Sequence, residues 1–138
     1  MLFDNVDLRT TFYEVSTMPI YESGEMYLET ILTLSKYTPH LRAIDIGEHM
    51  GYSKPSVSRA LGLLKADGLI EVGKDGGITL TETGRTIAEK IFERHQVLTD
   101  FFKMIGVPEE TAMTDACKME HIISDETFNA IKSHIKNM

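Results

Sequence analysis

Apolar residues in the first half of the chain recur with a helical period in three consecutive segments. The first predicted helix covers residues 23–37, with Ser23 as a candidate N-cap. The second covers residues 43–50, and the third covers residues 54–67 with Ser53 as its cap. Because only a short turn at Gly51 separates the last two helices, they predict a helix-turn-helix. We expect Ile31, Ile44 and Ile46 to hold the apolar side of its second helix.

After this motif the apolar pattern changes from helical to alternating. Residues 69–72 and 78–80 read as two short strands, and the glycine-rich segment 73–77 between them reads as a turn. A β-hairpin directly after a helix-turn-helix predicts a winged helix-turn-helix.

The rest of the chain is predicted to be helical, with segments at 81–105, 108–123 and 127–136. The expected fold class is therefore mainly α with a small β-hairpin, a winged helix-turn-helix followed by a helical domain. We expect an N-terminal arm at residues 1–22, the winged unit at 23–82 and the helical unit at 83–138.

Composition limits the setting in which this chain works. It has 138 residues, of which 42% are hydrophobic and 25% are charged, as in ordinary globular proteins. No apolar run approaches the roughly 20 residues that span a bilayer, and the N-terminus lacks a signal-peptide pattern. Cys117 is the single cysteine and has no intramolecular partner. We expect a cytoplasmic protein with no membrane partner.

The charge of the chain is unevenly distributed. The net charge of -7 argues against a general nucleic-acid binder, but segment 38–95 is balanced while both flanks are acidic. This pattern fits cation binding on the flanks and DNA contact in the centre. On this asymmetry alone, uneven surface charge without a function is the favoured explanation.

The first turn of the third helix carries the candidate DNA contacts. In a helix-turn-helix this helix lies in the major groove, where an arginine donates two hydrogen bonds to guanine. Arg42, which precedes the second helix, is a candidate for contact with the DNA backbone. Lys74, on the predicted wing, is a candidate for contact with a phosphate or the minor groove. The alternative is a solvated face or a protein-docking module. The candidates on the helix are Ser53, Lys54, Pro55, Ser56, Ser58 and Arg59.

A second group of residues has the chemistry of metal ligands. Cys117, Glu120 and His121 stand at i, i+3 and i+4 of a predicted helix, so they share one side of it. Thiolate, carboxylate and imidazole are typical ligands of divalent transition metals. Taken alone, a histidine is more often hydrogen-bonded and a cysteine more often inert. Met26 and Glu29 on the first helix, and His95 on the long helix, are further candidates.

Five segments together resemble one family of regulators. They are residues 25–28 (EMYL), 53–58 (SKPSVS), 80–85 (LTETGR), 94–95 (RH) and 116–121 (ACKMEH). In order and spacing they resemble the iron- and manganese-dependent repressors typified by the diphtheria toxin repressor and the manganese transport regulator. The resemblance implies a homodimer whose helical unit binds metal and dimerises. It implies that operator DNA of metal-homeostasis genes is bound when Fe(II) or Mn(II) is loaded.

The resemblance also implies a set of ligands. The iron-type primary site corresponds to Met26, Cys117, Glu120 and His121. The manganese-type members have aspartate and glutamate at the positions of Met26 and Cys117, and they also use the positions of Glu29 and His95.

The ancillary site of the iron-type members matches only in part. Thr99 and Met113 stand where that site has glutamate and histidine. The chain is also expected to lack the SH3-like domain of the long members.

The softness of the donor atoms favours some of the candidate metals over others. Thioether and thiolate favour Fe(II), so Fe(II) is expected first and Mn(II) second, with other divalent metals able to bind in vitro. We expect no organic cofactor and no enzymatic activity, because the sequence shows no metalloprotease, phosphate-loop or nucleophile-elbow motif. The alternative function is a winged-helix regulator that responds to a small organic ligand or to another divalent metal.

Overall fold

The computed structural model describes residues 23–137, so the predicted arm at 1–22 lies outside the described residues. Three helices come first: α1 covers residues 23–35, α2 covers Ala43–Met50 and α3 covers Lys54–Ala66. Gly51 ends α2 in the left-handed region, with φ of 72°. Ser53 then caps α3, because its side chain accepts a hydrogen bond from the backbone N–H of Ser56.

The two strands after α3 form the wing. β1 (Ile70–Val72) and β2 (Ile78–Leu80) pair in antiparallel register, with Ile70 opposite Leu80. The backbone N–H of Ile78 also donates to the carbonyl of Leu41, at 2.8 Å. This bond ties the wing to the segment before α2.

One apolar cluster holds the winged unit together. It buries Tyr27, Leu28 and Ile31 of α1 against α2, α3 and both strands. The prediction for Ile44 was wrong, since its side chain is 66% exposed while Ile46 is fully buried. Positions i and i+2 of a helix point about 200° apart around its axis, so Ile44 and Ile46 cannot both face the core. The other buried members are Leu32, Leu41, Val57, Leu61, Leu64, Ile70, Ile78 and Ala88.

A single long helix connects the winged unit to the rest. α4 (Glu82–Met104) begins at Thr81, whose side chain accepts from the N–H of Gly84, and it packs against β2, α5 and α6. α5 covers Glu109–Met119 and α6 covers Asp125–Lys136. The fold class is confirmed as mainly helical with one hairpin. Within residues 23–137, no helix combines the length and apolar character needed to cross a membrane.

The predicted end of α5 at residue 123 was wrong. The helix stops at Met119, because the N–H groups of Ile122 and Ile123 both donate to the Met119 carbonyl and turn the chain. Glu120 is therefore the C-cap, and His121 lies in the turn between α5 and α6.

Gly84 marks a close contact between backbone segments. A Cβ built there would lie 2.0 Å from the carbonyl oxygen of Leu69, just before β1. Only glycine allows α4 to begin this close to the wing.

We expect Gly84→Ala to lower the free energy of unfolding by about 1–3 kcal/mol, because the backbone of Leu69 must shift. Gly62→Ala is the matched control, since Gly62 is an exposed helix position with nothing within 4 Å of a Cβ. The control should gain roughly 0.5–1 kcal/mol from better helix propensity. Denaturant unfolding measures both, and stabilisation by Gly84→Ala would contradict the close approach.

Candidate metal centre

The centre begins with the carboxylate of Glu120, which is completely buried. The C-cap position at the end of α5 points this side chain inward, toward α4. His95 of α4 reaches it from one side, and its Nδ1 donates to Oε2 of Glu120 at 2.9 Å. A buried carboxylate is very unfavourable unless hydrogen bonds or cations surround it, so this contact accounts for one of its two oxygens.

His121 lies beside Glu120 and is held from the opposite side. Its side chain is only 3% exposed, and its Nδ1 donates to Oε2 of Glu25 on α1 at 3.0 Å. A histidine whose one nitrogen is fixed by a carboxylate presents the other nitrogen in a fixed direction. That nitrogen, Nε2, lies 3.3 Å from Oε1 of Glu120 without forming a hydrogen bond.

Glu29 of α1 completes the closest group. One ligand atom from each of Glu29, Glu120 and His121 lies within 4.8 Å of the others. The group thus joins α1, part of the winged unit, to the turn after α5. Two carboxylates and one imidazole form a donor set that suits Mn(II) and Fe(II).

Two atoms of this group test whether a metal ion fits. Across residues 23–137, Oε1 of Glu120 and Nε2 of His121 are buried atoms without a hydrogen-bond partner. Buried polar atoms normally have partners, so these two need either a proton on Nε2 of His121, which makes an ion pair with Oε1 of Glu120, or a bound cation. A divalent cation between them would satisfy both. The residues present therefore fit a metal ion.

The pKa values show how the group carries its charge without a cation. Burial, followed by the hydrogen bond with Glu120, raises the pKa of Glu29 to about 8. Burial alone would lower the pKa of His121, but the carboxylates of Glu120 and Glu25 raise it to about 9. Burial opposes the charged form of Glu120, yet its hydrogen-bonding neighbours lower its pKa overall. Protons thus occupy the group where a cation would otherwise balance the charge.

The other predicted ligands lie around this closest group. The thiol of Cys117 is half-buried, and burial followed by the charges of Glu120 and Glu29 raises its pKa. Met26 is half-buried on α1, one turn before Glu29. Within the described residues, neither Cys117 nor His95 belongs to the closest set of three.

The predicted helix face therefore needs a correction. Cys117 is on α5 and Glu120 keeps helical dihedral angles as its C-cap, but His121 lies in the turn beyond it, so the predicted helix face does not extend to His121. Of the two positions that depart from the iron-type ancillary site, Met113 is 47% exposed, and the hydroxyl of Thr99 is buried without a partner among the described residues.

Sequence reasoning missed two residues that hold the centre. Glu25 lies one turn before Glu29, so the helical spacing could have found it as a further carboxylate on the same face. Arg94 is 6% exposed and donates to the backbone carbonyl of Glu120. The sequence indicates only that Arg94 precedes His95.

The candidate DNA contacts are all exposed. The first turns of α3 carry most of them on the side opposite the buried Val57 and Leu61. Lys74 is exposed in the turn of the wing, and Arg42 is exposed at the start of α2. Exposure leaves these residues available to a large partner. Those on or beside α3 are Ser53, Lys54, Pro55, Ser56, Ser58 and Arg59.

Comparison with known families gives matches over both halves of the chain. A model described as the iron dependent repressor N-terminal DNA binding domain matches residues 20–78. A second, described as the iron dependent repressor metal binding and dimerisation domain, matches residues 81–138.

Individual relatives agree with these matches. The transcriptional regulator MntR of Escherichia coli O6:H1 is 37% identical over 106 residues, which cover 77% of this chain and 68% of that protein. The diphtheria toxin repressor of Corynebacterium diphtheriae is 34% identical over 125 residues, covering 86% of this chain and 53% of the relative. A solved manganese-dependent transcriptional repressor in complex with manganese is 25% identical, with a TM-score of 0.75 over 82% of this chain and 52% of its own. The chain thus spans about half the length of the last two.

We expect the affinity of the centre for Mn(II) to rise with pH. The pKa of Glu29 is about 8 and that of His121 is about 9, so at lower pH each group holds a proton that must leave before it can bind a cation. Affinity should rise about tenfold per pH unit for each proton released, and level off above pH 9. Chelator competition under anaerobic conditions, between pH 6.5 and 9.5, measures this.

Glu29→Gln provides the control for the pH series. Because glutamine does not titrate, the slope of log affinity against pH should be smaller by one below pH 8 than in the wild type. A wild-type affinity that is independent of pH, or an unchanged slope in Glu29→Gln, would contradict the assignment of these protons.

Proposed function

This chain belongs to the family of iron-dependent repressors, and from that premise we propose that it is a metal-activated transcriptional repressor that binds operator DNA as a homodimer. The observation that carries the proposal is the buried group of Glu29, Glu120 and His121, with two orphaned polar atoms facing each other. The group draws one member from the winged unit and two from the helical unit. We propose that the winged unit covers residues 23–82 and the helical unit residues 83–138.

We propose that Glu29, Glu120 and His121 hold the ion, with Met26, Cys117 and His95 as neighbouring ligands. A divalent cation would supply the positive charge that balances the carboxylates of Glu29 and Glu120, and it would take the place of the protons on Glu29 and His121. Glu25 orients His121 through Nδ1, which leaves Nε2 directed at Glu120. His95 fixes Oε2 of Glu120 and so leaves Oε1 as its open oxygen.

Activation follows from where α1 packs. Its apolar side lies in the same core as Val57 and Leu61 of α3, so the position of α1 sets that of the DNA-reading helix. When Glu29 is held with Glu120 and His121, α1 is fixed relative to the helical unit. Two α3 helices of a dimer must meet two half-sites at a set spacing, and a fixed arrangement loses less conformational entropy on binding.

We propose Fe(II) as the natural activator and Mn(II) as the second candidate. Both accept carboxylate and imidazole ligands, and the thioether of Met26 and the thiol of Cys117 add softer donors that favour Fe(II).

For DNA contact we propose the exposed residues on α3 and beside it. Arg59 is the candidate for base recognition, and Arg42 and Lys74 are candidates for contact with the DNA backbone.

We expect metal to raise the affinity for DNA by about 5- to 150-fold, the usual range of coupling between two sites. The DNA is selected from a random pool with Mn(II)-loaded wild-type protein, and its affinity is measured by fluorescence anisotropy with Mn(II), with Fe(II) or with chelator. Glu120→Gln should bind as weakly with metal as with chelator, because it loses the buried charged ligand. Equal wild-type affinity in chelator and in metal would overturn the proposal in favour of the organic-ligand alternative.

Arg59→Ala separates the two halves of this mechanism. It should bind Mn(II) like the wild type but lose about 1–3 kcal/mol of DNA-binding free energy, as expected for loss of a base contact. Lys136→Ala removes one exposed positive charge from the helical unit and is the matched control, with DNA affinity close to that of the wild type.

A further inference from the structure

Among the described residues, Arg94 is the one arginine or lysine that is buried, and it lies directly behind the metal centre. Its exposed fraction is 6%, although an arginine is almost never buried without several partners. It is on α4 next to His95, but its guanidinium points to the turn between α5 and α6.

The guanidinium holds both ends of that turn. Nη1 donates to the carbonyl of Glu120 at 3.1 Å and to the carbonyl of Ile123 at 2.6 Å. Nη2 donates to Asp125, the first residue of α6, and the ring of Phe128 lies 5.3 Å from the guanidinium carbon. One side chain thus ties the end of α5 to the start of α6.

These contacts answer a problem that every helix end poses. The last carbonyls of a helix have no partner within the helix and carry the negative end of its dipole. Arg94 supplies hydrogen-bond donors and a positive charge at the end of α5, and it forms an ion pair with Asp125. The backbone of Glu120, whose side chain is the central carboxylate of the metal centre, is therefore fixed from behind.

We propose that Arg94 is a positioning residue of the metal centre, which holds the 120–123 turn so that the side chains of Glu120 and His121 face Glu29. The inference rests on the proposed function, because it assigns a role toward the same centre. The argument is geometric: a change of direction at the Glu120 carbonyl moves the Glu120 and His121 side chains together. It also makes α6 part of the sensing unit, since Asp125 and Phe128 hold the guanidinium in place.

Lysine cannot replace this arrangement. A lysine keeps the positive charge and can still pair with Asp125, but its single ammonium group cannot reproduce the planar fork that reaches two carbonyls and a carboxylate together. Arg94→Lys therefore separates positioning from charge. Arg94→Met removes both.

Co(II) is the probe for the experiment, because its visible absorption reports the geometry and identity of its ligands. Arg94→Lys should weaken Co(II) binding about 10-fold and Arg94→Met up to about 100-fold, the range found when residues behind metal ligands are changed. At saturating Co(II), both should show an absorption spectrum different from that of the wild type. Denaturant unfolding of each variant establishes that the protein measured is folded, and Arg94→Lys serves alone if Arg94→Met does not fold.

Lys132→Ala is the matched structural control. Lys132 pairs with Glu93, so this variant removes another tie between α4 and α6, beside Arg94 but without contact to the turn. An exposed ion pair contributes little, so its Co(II) affinity should stay within about twofold of the wild type with an unchanged spectrum. A change equal to that of Arg94→Lys would show that any loosening of α6 has this effect, and would overturn the inference.

Glu120→Gln distinguishes the two levels of the proposal. If wild type and Glu120→Gln bind Co(II) equally, the metal centre itself is wrong and the role of Arg94 falls with it. If Glu120→Gln loses Co(II) while Arg94→Lys retains wild-type affinity and spectrum, only the positioning role is overturned.

Discussion

The buried carboxylate of Glu120 is the constraint around which the second half of the molecule is arranged. A charge in this position is tolerated only with partners on every side, and these come from three different elements. His95 approaches from α4, Glu29 from α1, and His121 from the following turn. The backbone of the same residue is held by Arg94. Among the described residues Oε1 of Glu120 forms no hydrogen bond, and it is the oxygen at which the proposed cation would bind.

The same group links two units that otherwise meet through α4. Glu25 pairs with His121 across 96 residues of sequence, so α1 contacts the α5–α6 turn even before a cation is considered. The apolar side of α1 is built into the core of the winged unit, whereas its carboxylates face the helical unit. A change in charge at the centre therefore acts on α1, the helix that shares its core with α3. In the proposed mechanism, a metal ion at the centre therefore affects the position of α3 without contacting DNA itself.

The elements of the fold could be predicted because their signals are local. The Ser53 cap, the Gly51 turn and the change from helical to alternating pattern after Gly68 each need only a few neighbouring residues. The prediction for Ile44 failed because two positions of a helix that lie nearly opposite each other cannot both face the core. The end of α5 was missed because the apolar pattern continues through the turn at Met119, which Arg94 of α4 supports through the carbonyls of Glu120 and Ile123. The same limit applies to the centre. Residue types and spacing indicated Glu120 and His121, and the helical spacing of Glu25 and Glu29 also places Glu25 on the same face. The contact of Glu25 with His121 and the contacts of Arg94 with the 120–123 turn join segments far apart in sequence, which no local pattern encodes.

The central claim is that a divalent cation binds between α1 and the turn after α5. Crystals grown with Mn(II) test it most directly, through the anomalous scattering of the metal. The account predicts an anomalous peak bounded by Glu29, Oε1 of Glu120 and Nε2 of His121, with the Glu25 contact to Nδ1 retained. A peak elsewhere on the chain, with these three side chains still paired only to one another, would contradict it.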